Sequence, residues 1–249
     1  MPERATPQAF LLPPAPAVGC GLTFDLTGEG NSARRALEGL DPVGMIGIGT
    51  PFGAVPGLRS FPAIPGKAPS TQRSLWAFVG GATQGDVLDR ARSLRAALEG
   101  CFTVTEEVWT FCHRGEGVIT GYEDGTENPE AAAAEIALVS AQGEGRDGGS
   151  FVAVQTWVHD LSRFAAVSLA WPDATMLRRS MPFGDTSRQG LYFVAYGNTL
   201  DRFERVLRRM SGLDDGVVDA LFDFSRAVTG GYYWCPPLRK GRLDLRELS

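Results

Sequence analysis

Residues 121–129, Gly-Tyr-Glu-Asp-Gly-Thr-Glu-Asn-Pro, set three carboxylates (Glu123, Asp124, Glu127) among two glycines and a proline, with no lysine or arginine. Carboxylates in such a loop can move protons, ligate a hard cation, or decorate a turn. The plain turn is the commonest of the three, since Asp-Gly and Asn-Pro are turn dipeptides. A calcium loop fails on register. Asp124, Thr126, Asn128 and Glu135 fall at ligand positions of an EF-hand-like loop, but its sharp turn needs glycine where this chain has Pro129.

Few other side chains offer chemistry. The two histidines, His113 and His159, are far apart, and the four cysteines (Cys20, Cys101, Cys112, Cys235) form no CxxC pair. No Cys or His pair has zinc spacing, so no metal site is expected, and the cysteines read as reduced core residues. His113 precedes a Gly-rich turn and is expected to be exposed. His159, at a strand end beside Asp160, reads as a hydrogen-bonded structural residue.

The composition bounds the rest. A chain of 249 residues is long enough for one large domain or two small ones. Its 43% hydrophobic and 21% charged residues are those of a globular protein, and a net charge of −5 argues against a nucleic-acid or anionic-membrane surface. No apolar run approaches the roughly 18 residues that span a bilayer. The first twenty residues mix Glu with Arg and interrupt their apolar stretch with prolines, so they do not read as a signal peptide, and a cytoplasmic location is expected.

The elements that must position the acidic loop read as two similar halves. In the first, strands are expected at 20–27, 43–50, 75–81 and 102–112, with helices at 31–39 and following the 75–81 strand. In the second helix Val87, Leu88, Ala91, Leu94 and Leu98 share a face, and Gly100 ends it. The Pro/Gly-rich stretch 51–70 reads as a long ordered loop. The order βαββαβ is the ferredoxin-like arrangement. The second half repeats it less cleanly: strands at 149–160, 175–184, 190–197 and 229–238, a short helical candidate after 160, a helix placing Leu200, Phe203, Val206, Leu207 and Met210 on one face with Gly212 as its stop, and a further helix at 214–224. The expected fold is α+β, two ferredoxin-like halves packed together in the manner of dimeric α+β barrels. Residues 1–120 form the first half, 149–249 the second, and 121–148 the linker that carries the acidic loop.

GYEDGTENP resembles the GxxDG motif of the dye-decolourising (DyP-type) haem peroxidases, in the GxxDGTENP form of bacterial members. VPGLRSFPAIPG, GGSFVAVQTWVHDL, LRRSMPFGD, GLYFVAYGNTLDRFERVLRRMSG and VTGGYYWCPPL resemble the same family, in its order. The resemblance covers nearly the whole chain, and that family has two ferredoxin-like domains. It implies a haem cofactor, H₂O₂ as oxidant and a small organic or dye-like reductant. It makes Asp124 the acid/base, Gly121 and Gly125 the residues that let the backbone approach the porphyrin, and Arg178 the cation that holds the aspartate and stabilises charge on the peroxide. Ser180 takes the place of a distal amide. It also implies a homodimer or larger oligomer. The chain ends at RKGRLDLRELS, soon after the last expected strand, so no nanocompartment-targeting tail is expected.

The pattern breaks at one place. In the family the proximal histidine lies between the VHDL-like segment and the LRRSMPFG-like strand, on a longer connection. Here residues 162–174, SRFAAVSLAWPDA, hold no histidine. His159 matches a family residue beside the axial position, not at it. A crossover between strands needs about a dozen residues, so the half can still close, with a thin helical cover and an open or collapsed pocket. The alternative function is therefore a homologue or internally deleted form that has lost the axial ligand and serves as a binding or dimerisation module.

Overall fold

The computed structural model describes residues 5–41, 44–112, 128, 131–163 and 176–249. The first half runs β1 (Val18–Leu26), α1 (Gly30–Gly39), β2 (Met45–Ile48), β3 (Leu75–Gly81), α2 (Gln84–Leu98) and β4 (Phe102–Phe111). A short α3 (Ala133–Ala137) lies within the stretch 121–148 expected as the linker. The second half runs β5 (Ser150–His159), a 3-10 turn (Leu161–Arg163), β6 (Leu177–Arg178), β7 (Met181–Gly184), β8 (Gln189–Gly197), α4 (Asp201–Met210), α5 (Leu221–Phe224), β9 (Ser225–Ala227) and β10 (Gly231–Cys235). A hairpin of β11 (Leu238–Arg239) and β12 (Arg242–Leu243) ends it.

Ten strands form one antiparallel sheet in the order β6-β8-β7-β4-β1-β3-β2-β10-β5-β9, and a further pairing of β8 with β5 closes it into a barrel-like ring. Within the first half the order is β4-β1-β3-β2. The two halves meet along two thin seams, Thr110 opposite Phe183 and Trp234 opposite Ile48.

Closure gives the sheet two buried faces, and alternation along each strand sorts side chains between them. On β3, Trp76 and Phe78 point inward while Leu75, Ala77 and Val79 point outward to the helices. Trp76, Met45, Met181, Tyr192, Tyr196 and Tyr233 fill the interior. Trp76 Nε1 donates to Tyr192 Oη at 2.9 Å, which satisfies the indole inside the barrel. Gly21 on β1 makes room for this pair, since a Cβ there would lie 2.3 Å from the Tyr192 ring.

The outer face of the first half is covered by α1 and α2. A capping box joins Thr83 and Asp86 at the start of α2, and Val87, Ala91, Leu94 and Leu98 are buried beneath it. Leu88, expected on that face, is 44% exposed; it lies a further helical step round from Val87, past the edge of the stripe. Gly100, with φ +80°, ends the helix as expected. In α4, Phe203, Leu207 and Met210 are buried, and Leu200 is buried just before it.

Two expected elements need correction. The helix expected over 214–224 is only Leu221–Phe224. Gly216 takes φ +78°, the Asp215 carboxylate accepts from Val217 N, and Ser211 bridges Val218, so turn hydrogen bonds replace helical ones over 214–220. The last strand is shorter than 229–238, because Pro236 and Pro237 cannot donate to a ladder. Strand β9 and the terminal hairpin were not foreseen. Of the short helical candidate after residue 160, the described residues form a single 3-10 turn; residues 164–175 lie outside the described set.

Candidate functional site

Arg178 lies on β6, opposite Ala195 of β8. Its side chain therefore leaves the outer face of the second half, the face of Ala195, while Leu177 turns into the barrel. The chain keeps step between β6 and β7: Arg179 N donates to Val194 O at 2.8 Å, and Met181 pairs with Tyr192. Ser180 thus falls beside Phe193, on the same outer face as Arg178. It is 8% exposed, and its Oγ accepts a long 3.4 Å hydrogen bond from Val194 N.

The acidic loop reaches this strand through Asn128. Asn128 Oδ1 accepts from Arg178 N at 2.8 Å, and Asn128 Nδ2 donates to Arg178 O at 3.0 Å. The side-chain amide thus acts as a short piece of neighbouring strand. Gly121, Asp124 and Gly125 lie outside the described residues, as does His113. Asn128 sits four residues after Asp124, so the loop that carries the acid is tied to the strand that carries the arginine.

The floor of the outer face continues across β8 onto β5. Ala195 pairs with Ala153, and Phe193 pairs with Gln155. Two alanines side by side make a shallow apolar floor. Arg178 stands at its edge, and Ser180, Phe193 and Gln155 form one row across it. Gln155 is 5% exposed, and its Nε2 has no hydrogen-bond partner.

His159 ends the same row of β5. Its Nδ1 is 2.7 Å from Ser225 Oγ, and its ring packs on Phe224. Burial lowers its pKa to about 4, so the ring is neutral at physiological pH. The hydrogen-bonded structural role expected for it is present, with Ser225 as partner; the Asp160 carboxylate instead accepts from Ser162. A flat group lying on this face would have Arg178 and His159 on one side of it, so His159 is poorly placed to act opposite Arg178. Among the described residues, no cluster of three or more His, Cys, Asp or Glu side chains could hold a metal ion.

Two cavities lie elsewhere. One of about 220 Å³ opens at a barrel mouth between Arg73 and Glu106, whose carboxyl burial raises. The other, about 520 Å³, lies at the Phe151 end of β5, lined by Arg59, Arg146 and Asp201. Arg59 is already paired with Glu204 and Asp201, at 2.6 Å each.

Sequence reasoning missed Asn128 and Gln155 as site residues. Asn128 was read as half of a turn dipeptide. Gln155 carried a detectable signal, a polar residue at a position of β5 whose neighbours on that face, Ala153 and Trp157, are apolar.

Fold and site together describe an α+β barrel with a cationic edge over a small apolar floor. The family described as Dyp-type peroxidase, C-terminal, matches residues 116–175 and again 171–240. The chain belongs to the Dyp-type peroxidase family. It is 30% identical over 208 residues to a dye-decolorizing peroxidase of Mycolicibacterium paratuberculosis, covering 62% of this chain and 58% of the relative. It is 26% identical over 212 residues to one from Mycobacterium tuberculosis, covering 69% and 63%. The chain thus spans less than two thirds of the length of these relatives. Because 62% of this chain is fewer residues than the 208 positions compared, the alignment also crosses positions with no counterpart here. Among solved structures, a Rhodococcus jostii RHA1 DypB variant in complex with heme superposes with a TM-score of 0.82 at 25% identity, covering 93% of this chain and 96% of that one. A dyp-type peroxidase from Shewanella oneidensis superposes at 0.83 with 23% identity, covering 94% and 97%, and supports the fold alone.

Proposed function

We infer that this protein is a haem peroxidase that uses H₂O₂ to oxidise small organic or dye-like molecules. The observation that carries this reading is the double hydrogen bond from Asn128 to the backbone of Arg178, which ties the acidic loop to the cationic strand. The outer face supports haem as the cofactor: Ala153 and Ala195 give a flat apolar floor, Arg178 a cation at its edge, and Gln155 a buried donor lacking an acceptor.

When bound, haem would supply the redox-active iron that couples reduction of peroxide to oxidation of the reductant. Asp124 takes the proton from the near oxygen of H₂O₂ and returns it to the far oxygen as the O–O bond breaks. Arg178 stabilises the charge that develops on the leaving oxygen. Gly121 and Gly125 allow the loop to approach the ring, and Ser180 lies beside Arg178 in place of a distal amide.

The halves are read as ferredoxin-like, supported in the first by the strand order β4-β1-β3-β2. The protein is expected to be at least a dimer, and light scattering showing a monomer at micromolar concentration would remove that part. None of the four cysteines forms a disulfide, which suits a reducing cytoplasm.

One observation favours a second reading, a homologue without peroxidase chemistry. Residues 162–174 contain no histidine, and the two family matches meet at 171–175, within or beside that short connection. Haem titration followed by peroxide separates the readings: a peroxidase binds haem stoichiometrically and turns over, and a module does not.

A further inference from the structure

Buried side-chain donors are almost always paired, and an orphan marks a missing acceptor. Among the described residues, two rise from the outer face of the sheet in the second half. Gln155 Nε2 has no partner, although its Oε1 accepts from Trp157 Nε1 at 3.4 Å. Tyr232 Oη, on a wholly buried residue of β10, has none either. Tyr232 pairs with Ala153 and rises from the same side of the sheet, but its ring is packed against Phe61 and Phe203 beneath α4, so of the two orphans only Gln155 stands on the side of the alanine floor away from that cover. By strand spacing Gln155 lies about 10 Å from Ser180 and about 12 Å from Arg178. This is too far to share a small molecule with the arginine, and suited to the far edge of a flat group that Arg178 overlooks.

We propose that Gln155 donates from Nε2 to a carboxylate at the edge of the flat tetrapyrrole bound on this floor. The inference rests on the haem reading above. A carboxylate fits the site because the buried Gln155 amide donor is left without an acceptor there, and charge-assisted bonds to such an acceptor are the strong ones. Gln155 is thus a cofactor-binding residue that orients the ring relative to Arg178, and takes no part in proton transfer.

The test uses Gln155→Met, close in shape but without the donor, and Gln155→Leu in case one variant folds poorly. Two quantities are measured: urea unfolding of the protein without haem, and affinity for haem and for its dimethyl ester. Both variants also remove the Oε1 that accepts the long 3.4 Å bond from Trp157 Nε1, so the haem-free protein should lose only what that one weak bond contributes, and nothing from the orphaned Nε2. The same change should weaken haem binding by about tenfold or more, and binding of the dimethyl ester much less. If both variants without haem unfold much more easily than Trp157→Phe, which removes only the bond to Oε1, then Nε2 is already satisfied by protein or ordered water, and the proposal falls. If wild type and variants bind haem alike, the proposal falls while the haem reading stands. If the wild type itself binds no haem, the haem reading fails and the proposal goes with it.

Discussion

Asn128 grips Arg178 by both backbone polar groups, accepting from its N–H at 2.8 Å and donating to its carbonyl at 3.0 Å. Strand β6 is only two residues long and pairs on one side with β8, so without this amide its other side has no such partner from the acidic loop. The side chain substitutes for a strand and fixes where the arginine begins.

The first prediction follows from that grip. Asn128→Ala strands the Arg178 N–H and should lower the unfolding free energy by about 1–2 kcal/mol. Asn128→Asp keeps an oxygen for the N–H and should cost less; the Arg178 carbonyl also accepts from Arg179 Nη1 at 3.0 Å, so it is not left bare. Urea denaturation measures both, and wild-type midpoints in both variants would remove the clamp from the account.

Chemistry should separate the two members of the proposed distal pair from cofactor binding. Arg178→Leu should slow peroxide consumption by about 100-fold or more, with a much smaller change in haem affinity. Arg178→Lys should recover only part of the rate, because it keeps the charge and loses the planar fork. Asp124→Asn should lose about 100-fold or more by removing the proton carrier. Stopped-flow mixing with peroxide reads all three.

His159 provides a pH signature. Its pKa is lowered from 6.5 to about 4 by burial. Between those values the unfolded chain binds more protons than the folded one, so folding stability falls as the pH drops from about 6.5 towards 4 and is fully present above that window. After discounting for partial exposure, the loss is roughly 2 kcal/mol. His159→Phe should flatten this part of the stability profile. An unchanged slope in the variant would mean that other groups titrate there.

The cysteines should divide by burial. Cys20 and Cys235 are fully enclosed, and burial pushes the Cys20 thiol up to about 12 and the Cys235 thiol higher still. A thiol reagent at pH 8 should leave these two untouched in the native protein and reach all four only after denaturation. Rapid labelling of Cys20 in the folded state would contradict the helical cover over the outer face of β1.

Much of the fold was legible in the sequence because its strands read as short runs rich in apolar, β-branched and aromatic residues, buried on both faces, and its main helices carry a clear 3.6-residue stripe. The expected β3 has the observed bounds, and β1, β4, β5 and β8 are displaced by two residues or fewer at either end. What failed was local competition: the aspartates and Gly216 near 214–219 make turn hydrogen bonds that a helical pattern of Val217, Val218 and Leu221 conceals. Closure of the barrel through β5 and β8 was also hidden, because pairing between distant strands leaves no trace in local periodicity. At the site, Arg178 and Ser180 came from a motif. The partner of Arg178 could not, since Asn128 followed by Pro129 reads first as a turn.

The most direct test of the account is a haem titration of the purified protein, with absorption spectra before and after H₂O₂. The account predicts a sharp Soret band saturating at one haem per chain, shifting on peroxide, with turnover lost in Asp124→Asn. A broad band like that of free haem, with no stoichiometric endpoint, would contradict it and leave a peroxidase fold without peroxidase chemistry.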